Sequence, residues 1–269
     1  MSVTLNKVLE NVAAYVQYRL DEGELHLHVS LEQSSRMKSA RAGSAGRAPA
    51  VPPPERAPVA PAARPLQVAQ QDDAVAEAPP TDLAGHAKRI AGCRKCGLHV
   101  TRTRTVPGQG NPHPEIMFVG EAPGEDEDLQ GLAFVGRAGQ LLTKMIQAMG
   151  LARDDVFIGN ILKCRPPGNR KPLPIEMSAC MPYLKAQIAE LKPRVLVALG
   201  ATAAQGLLNT ETSISQLRGR WQTFESIDLM PTYHPSYLLR NPAAKKEVWE
   251  DLQTVLRHLG KPIPKWRKS

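Results

Sequence analysis

Four short apolar runs, separated by helical patterns, constrain the fold of this chain more than any other feature. The runs are Ile116–Val119, Val156–Ile161, Val195–Leu199 and Leu229–Tyr233. Short apolar runs without alternation are typical of strands that are buried on both faces of a parallel sheet. Because helical patterns lie between the runs, the sequence predicts an α/β fold. We expect a three-layer sandwich in which helices flank a central, mainly parallel four-stranded sheet.

The helical patterns have recognisable ends. Gly150 is suited to follow the last turn of one helix, and Pro174 is suited to the first turn of another. The predicted helices are Ala138–Met149, Pro174–Leu191, Ala201–Leu208 and Ala243–Leu259. In sheets of this kind, ligands bind beyond the carboxyl ends of the strands. We therefore expect site residues directly after each apolar run.

The first 81 residues differ in texture from the rest. Residues 1–31 predict a short amphipathic helix followed by a strand-like segment, too little to form a core alone. Residues 32–81 are rich in Ala, Pro and Arg and predict a disordered linker. Between Arg36 and Pro65 six basic residues face the single acid Glu55, a net +5 of the chain's +8. A globular domain is predicted over residues 82–262, with a basic tail at 263–269.

Composition excludes several classes of protein. The longest apolar runs have about five residues, whereas a membrane span needs ~20. Four cysteines in 269 residues are too few for a disulfide scaffold. Met1–Val12 lacks the apolar core of a secretory signal. We therefore expect a cytoplasmic protein with reduced thiols and no membrane partner, and its basic balance is compatible with nucleic-acid binding.

The four cysteines predict one metal site. Cys93 and Cys96 form a C-x-x-C pair, which lets two thiolates bind one centre from a tight loop. Cys164 and Cys180 follow much later, a gap that is unusual for a zinc ribbon. Zinc and iron–sulfur clusters both accept four thiolates. Pro166 lies close after Cys164, as is common around iron–sulfur clusters, so the spacing favours a [4Fe–4S] cluster only slightly over zinc.

The first apolar run continues into an acidic, glycine-rich turn over residues 120–128. Backbone N–H groups of such a turn can bind a polar edge of a ligand. Glu121 lies between the strand end and Pro123, so we expect its side chain to point into the cleft. Asp126 and Asp128 belong to a run of charges and fit a solvated face.

Three further residues are candidates at the same edge of the sheet. Phe134 precedes a helix, where it can be either a core residue or a platform on which a flat ligand stacks. Asn160 lies in an apolar strand, and its amide offers the donor and acceptor that suit the edge of a nucleobase. His234 follows the fourth run and is itself followed by Pro235 and Ser236, a good place for site chemistry, although a lone histidine is often only a polar residue.

In their order and spacing these motifs resemble one family. Gly120–Gly124, Phe134–Leu142, Asn160 shortly before Cys164, and His234–Ser236 are similar to the family 4 uracil-DNA glycosylases, the iron–sulfur branch of that superfamily. The resemblance covers about Leu83 to Leu259. It implies that residues 82–262 form a catalytic domain that flips uracil out of DNA and hydrolyses its N-glycosidic bond. The product would be an abasic site for base excision repair.

The resemblance also implies residue roles in the uracil pocket. Glu121 would orient water or stabilise charge, and Ala122 would line the substrate site. Phe134 would stack on the extruded uracil, and Asn160 would bind its pairing edge and reject cytosine. His234 would lie near the uracil O2. Which acid positions the water stays open on the sequence, because Glu125 and Glu127 are also candidates.

Outside the pocket, the resemblance implies a structural [4Fe–4S] cluster on Cys93, Cys96, Cys164 and Cys180. The loop 235–240 would press into the minor groove. Several basic residues are candidates for phosphate contacts: Arg165, Lys171, Arg218, Arg220, Lys245, Lys246 and the tail Lys261–Lys268.

Uracil-containing DNA, single- or double-stranded, is the expected partner of a monomeric enzyme, and residues 1–81 are a candidate site for a protein partner. Two alternatives are kept. One is a cluster-bearing DNA-binding or redox-sensing protein without hydrolase activity, and the other is a zinc α/β protein.

Overall fold

The structure is a computed structural model that describes residues 82–264. The helix and strand predicted within residues 1–31, the linker 32–81 and residues 265–269 of the tail lie outside the described residues and stay predictions. In the described part of the chain, no helix combines the length and the apolar character that a membrane crossing requires.

One mixed sheet organises residues 82–264. Its strands are β1 (Gln109–Gly110), β2 (Ile116–Gly120), β3 (Phe157–Asn160), β4 (Val195–Leu199), β5 (Gln222–Phe224) and β6 (Ile227–Thr232). The strand order is β1-β3-β2-β4-β6-β5. The four central strands are parallel, and β1 and β5 pair antiparallel at the two edges. The predicted parallel core is confirmed, but the sheet has six strands in the described residues, not four.

Both edge strands escape sequence analysis for local reasons. β1 has only two residues, too few to show a pattern. β5 joins β6 through a tight turn in which Glu225 and Ser226 both have positive φ, 47° and 71°. Hairpin turns with this backbone normally contain Asn-Gly or Asp-Gly. Because Glu225-Ser226 stands there instead, the sequence gives no sign of the turn.

Helices cover both faces of the sheet. They are α1 (Leu83–Ala91), α2 (Leu98–Thr101), α3 (Glu125–Gln130), α4 (Arg137–Ala148), α5 (Pro174–Leu191), α6 (Ala201–Leu208), α7 (Ile214–Leu217), α8 (Pro235–Arg240) and α9 (Lys245–His258). The bounds predicted for α5 and α6 are confirmed. α4 begins and ends one residue earlier than predicted, and α9 begins two residues later and ends one residue earlier.

The layers follow from the alternation of side chains along β2. Met117 and Val119 belong to an apolar cluster with α1, α5 and α6. Ile116 and Phe118 point to the opposite face and belong to a cluster with α4 and α9. Every residue of β2 is buried, because helices cover both sides of the sheet. The three-layer sandwich is therefore confirmed.

Two segments expected to be turn or loop are helical. Residues 235–240, predicted as a loop, form α8, because Pro235 occupies the first turn and the His234 ring accepts from the N–H of Ser236 at the helix start. The acidic run forms α3. Asp128 is buried, not solvated, since its carboxylate accepts from the N–H groups of Thr103 and Arg104 over 3.0 to 3.3 Å.

Candidate active site

One pocket lies at the carboxyl ends of the parallel strands. β2 and β3 end in register, with Gly120 opposite Asn160, and β4 and β6 end beside them at Leu199 and Thr232. The polypeptide therefore delivers residues from four strand ends to one place. The lining includes Glu121, Ala122, Phe134, Asn160 and His234, which are the five residues predicted for catalysis and substrate binding.

Asn160 brings an unpartnered amide to this pocket. Its side chain is 1% exposed, and neither Nδ2 nor Oδ1 has a hydrogen-bond partner in the described residues. A buried polar group left in this state costs ~1 to 3 kcal/mol. The cost is recovered when a ligand supplies one acceptor and one donor side by side.

Phe134 is held in a strained conformation against Asn160. Its φ is 53°, in the left-handed region that residues with bulky side chains rarely adopt. Two glycines make room for it. A Cβ on Gly120 would overlap both the Phe134 ring and Asn160 Oδ1, and a Cβ on Gly139 would overlap the Phe134 main chain. Phe134 is both a core residue and a pocket wall, so the two alternatives from the sequence are not exclusive.

The His234 ring forms another wall, 5.7 Å from the Phe134 ring between centroids and tilted by 34°. Its Nδ1 accepts from the main-chain N–H of Ser236 over 3.1 Å and lies 2.8 Å from Ser236 Oγ. Burial, assisted by the charge of Arg240, lowers the pKa of His234 to about 4. The imidazole is therefore neutral near neutral pH, and with Nδ1 accepting, its proton is on Nε2.

The three candidate acids have different surroundings in the structure. Glu127 accepts from the backbone N–H groups of Gly124, Val135 and Gly136 over 2.8 to 3.0 Å and so holds the Phe134 loop. The exposed Glu125 lies 3.6 Å from Arg165 and outside the pocket. Glu121 lines the pocket, and its carboxylate has no hydrogen-bond or ion-pair partner in the described residues.

The four cysteines line a second cavity. Cys93 and Cys96 come from the loop between α1 and α2, Cys164 follows β3, and Cys180 lies on α5. None of the four forms a disulfide bond. Arg102 Nη1 donates to Cys164 Sγ over 3.3 Å, and the N–H of residue 163 donates to Cys180 Sγ over 3.2 Å.

This donor set fits a metal group bound by thiolates. Burial raises the pKa of Cys180 to about 11, so a metal would have to displace its proton. In residues 82–264, no three His, Cys, Asp or Glu side chains form a group that could hold one metal ion. Sulfurs arranged round a shared cavity can instead each bind a different metal atom of a cluster.

One predicted phosphate contact is wrong. Arg218 Nη2 lies 2.7 Å from Asp251 Oδ1 in a largely buried ion pair, and Thr232 Oγ1 donates to the same carboxylate over 2.6 Å. Its guanidinium group is therefore engaged within the protein and is not presented to a DNA phosphate. Among the predicted phosphate contacts, Lys171, Arg220, Lys245 and Lys246 are exposed, and Lys171 also lines the pocket.

Lys163, which lies directly before Cys164, was not among the residues predicted from the sequence. Its side chain is fully buried, and burial lowers its pKa to about 8. A lysine at the end of an apolar strand usually marks the surface, so the sequence carries no signal of this burial.

Fold and pocket together define a class of protein. It is an α/β sandwich in which a buried amide, an aromatic ring and a neutral imidazole line a pocket at the strand ends. Such a pocket is suited to bind a flat polar ring. Residues 107–253 match the family model of the uracil DNA glycosylase superfamily, and the chain belongs to that superfamily, in its type-4 branch.

Curated relatives support this assignment. The type-4 uracil-DNA glycosylase of Archaeoglobus fulgidus is 45% identical over 185 residues, which is 66% of this chain and 93% of that protein. The type-4 enzyme of Thermotoga maritima is 46% identical over 173 residues, 62% of this chain and 89% of that protein. A type-5 uracil-DNA glycosylase of Pyrobaculum aerophilum is 32% identical over 171 residues, 57% and 74% of the two chains.

Proposed function

We propose that this protein removes uracil from DNA by hydrolysing the N-glycosidic bond and leaves an abasic site for base excision repair. The observation that carries the proposal is the unpartnered Asn160 amide, buried beside Phe134 and His234. Relatives named type-4 uracil-DNA glycosylase, at 43–46% identity, support the same activity.

Asn160 supplies the specificity. Uracil presents a carbonyl acceptor next to an N–H donor, and the amide can donate from Nδ2 and accept at Oδ1. In the same amide orientation, cytosine would present an amino donor to Nδ2 and an unprotonated ring nitrogen to Oδ1, so both bonds would be lost and the amide would stay unpaired. Sites built in this way reject the wrong ligand strongly, because desolvated polar groups remain unpaired.

His234 stabilises the leaving group. Breaking the glycosidic bond develops negative charge on uracil and positive charge on the sugar. A neutral imidazole with its proton on Nε2 is a donor suited to the uracil O2 as that charge develops. Phe134 would stack on the flipped base, whose extrusion costs a few kcal/mol and least for a mispaired uracil.

Glu121 is the acid that we assign to the water or to the sugar cation. It lines the pocket and has no competing partner in the described residues, whereas Glu127 is occupied by three backbone donors. Ala122, next to it, leaves space at the substrate site without offering a polar group.

Cys93, Cys96, Cys164 and Cys180 would hold a [4Fe–4S] cluster, which when bound supplies a structural cross-link. Their shared cavity lies between the α1–α2 loop, the residues after β3 and α5. Because Cys164 follows Asn160 closely, this cross-link would also fix the end of β3. Metal analysis that found zinc and no iron would overturn the cluster assignment.

DNA would bind across the pocket mouth. Lys171 lines that pocket, and Arg220, Lys245 and Lys246 are exposed, so these four are the phosphate contacts that we propose. In α8, Tyr237 and Leu239 are 38% and 40% exposed, and they would fill the gap left by the flipped base. We further propose a cytoplasmic, monomeric enzyme whose residues 1–81 recruit a protein partner.

The test is excision from an oligonucleotide with a single uracil, read as alkali-labile strand breaks, with iron measured on the same sample. Asn160→Ala should abolish excision and leave DNA binding nearly intact. Gln147→Ala, which changes an exposed amide on α4, should behave as the wild type. Iron-loaded wild type that binds DNA without excising uracil would overturn the proposal in favour of a binding protein.

A further inference from the structure

Lys163 lies between the uracil pocket and the cysteine cavity. Its side chain is 1% exposed and is among the largest fully buried side chains of the described residues. Its Nζ donates to the main-chain carbonyl of Asn160 over 2.9 Å, to Gln187 Oε1 over 2.7 Å and to the Pro107 carbonyl over 3.4 Å. These three acceptors use the three N–H bonds of an ammonium group.

None of these acceptors carries a charge, and in residues 82–264 no carboxylate forms an ion pair with Lys163. A buried ammonium without an anion is strongly destabilising, which is why buried charges are normally paired or lie near a metal group. The position of Lys163 therefore calls for negative charge from another source.

The cysteine cavity offers that charge. Lys163 lines it together with the four cysteines. Its main-chain N–H donates to Cys180 Sγ over 3.2 Å, and the next residue is Cys164. Four thiolates outweigh the positive charge of an iron–sulfur core, so a bound cluster would place net negative charge in this cavity.

We propose that Lys163 is the buried counter-charge of the cysteine-bound cluster and, through its bond to the Asn160 carbonyl, a positioning residue for the Asn160 amide. This inference rests on the proposed cluster. Hydrogen bonds and charges around a cluster set its potential and retention. Removing the ammonium should favour the oxidised cluster, which is the less negative form, and should loosen the strand end that carries Asn160.

The test compares Lys163→Met with Gln187→Met in the full chain, purified without oxygen. Both changes remove the 2.7 Å bond between the two side chains, but only the first removes the charge. Three quantities are measured: the cluster reduction potential, the rate at which visible absorbance is lost under a chelator, and the ratio of kcat/KM for uracil to that for cytosine.

For Lys163→Met we expect a lower potential, cluster loss that is about 10- to 100-fold faster, and a lower uracil-to-cytosine ratio. Gln187→Met should keep the wild-type potential. Equal shifts in the two variants would mean that packing and not charge is responsible, and wild-type values in Lys163→Met would likewise overturn the proposal.

If Lys163→Met does not fold, the reduction potential of Gln187→Glu tests the proposal instead. It gives Lys163 a carboxylate while keeping the lysine, so the potential should fall, and an unchanged potential overturns the proposal. The proposed function is tested by the wild type alone. If the wild type lacks iron, both the cluster assignment and the role of Lys163 are overturned. If the wild type contains iron and excises uracil but the variants match it, only the role of Lys163 is refuted.

Discussion

The main-chain N–H of Ser236 donates to Nδ1 of His234 over 3.1 Å, and the same bond starts helix α8. A helix cap and a tautomer are thereby fixed by one interaction. Since Nδ1 accepts, the neutral ring has its only N–H at Nε2.

Replacing His234 should affect the chemical step more than DNA binding. His234→Ala would remove the donor that we propose for the developing uracil anion, and the loss of such a donor lowers kcat by ~10²- to 10³-fold. Single-turnover excision measures the change. His113→Ala, an exposed histidine away from the pocket, is the matched control. A rate that falls equally in both variants would contradict the assignment.

The pH dependence should show a His234 that stays neutral. Its folded pKa is about 4 against an ordinary 6.5, so the unfolded chain binds more protons between those two values. Folding stability from this group is therefore present above about pH 6.5 and is lost as pH falls toward 4. The Tm of the wild type should fall more steeply over this range than that of His234→Gln. Parallel Tm curves would refute the low pKa.

Asn160→Leu should separate stability from activity. The change removes two buried atoms without partners, so unfolding should cost about 1 to 3 kcal/mol more. The same change would remove the group that we propose to recognise uracil and should lower kcat/KM by roughly 10⁴-fold. Denaturant unfolding and excision assays on one preparation test both. A destabilised Asn160→Leu protein would show that the amide has a structural partner.

Gly120→Ala should disrupt the pocket through sterics alone. The added Cβ would overlap the Phe134 ring and Asn160 Oδ1, and overpacking of this kind costs about 1 to 3 kcal/mol. Excision should fall as Phe134 is displaced. Gly97→Ala is the matched control, because a Cβ there meets no atom within 4 Å. Tm and excision rate distinguish the two variants, and equal behaviour would contradict the packing argument.

Lys171 and Arg218 should respond differently to substitution. Lys171→Ala should weaken DNA binding and lower the slope of log affinity against log salt by about 0.9 for duplex DNA. Arg218→Met leaves the buried Asp251 without its cation and should destabilise the fold by about 3 to 5 kcal/mol. Its salt slope should match the wild type. A smaller slope for Arg218→Met would place this arginine on the DNA.

The central strands and the pocket members could be predicted because each is a local property of the sequence. An apolar run predicts a buried strand, and parallel strands deliver their carboxyl ends to one edge. Asn160 lies near the end of one such run and His234 directly follows another, so their proximity could be predicted without knowing any distant partner. Phe134 reaches the same pocket because Gly120 and Gly139 leave room for its ring and main chain.

The residues that sequence analysis misjudged depend on partners far along the chain. Asp128 is buried where it accepts from the N–H groups of Thr103 and Arg104, and Arg218 is largely buried because it pairs with Asp251 on α9. The burial of Lys163 likewise depends on distant acceptors. No local pattern carries this information.

The order of the cysteines along the chain divides the pocket into two halves that are held in different ways. Glu121, Phe134 and Asn160 all lie between Cys96 and Cys164, whereas His234 lies after Cys180. A metal group joining the four sulfurs would close the first three residues into one loop and lower the conformational entropy of that loop in the unfolded chain. His234 lies outside the loop and follows β6, which is held by its pairing with β4 in the sheet. Removal of the metal group would therefore take from the first half of the pocket a constraint that the His234 half never had.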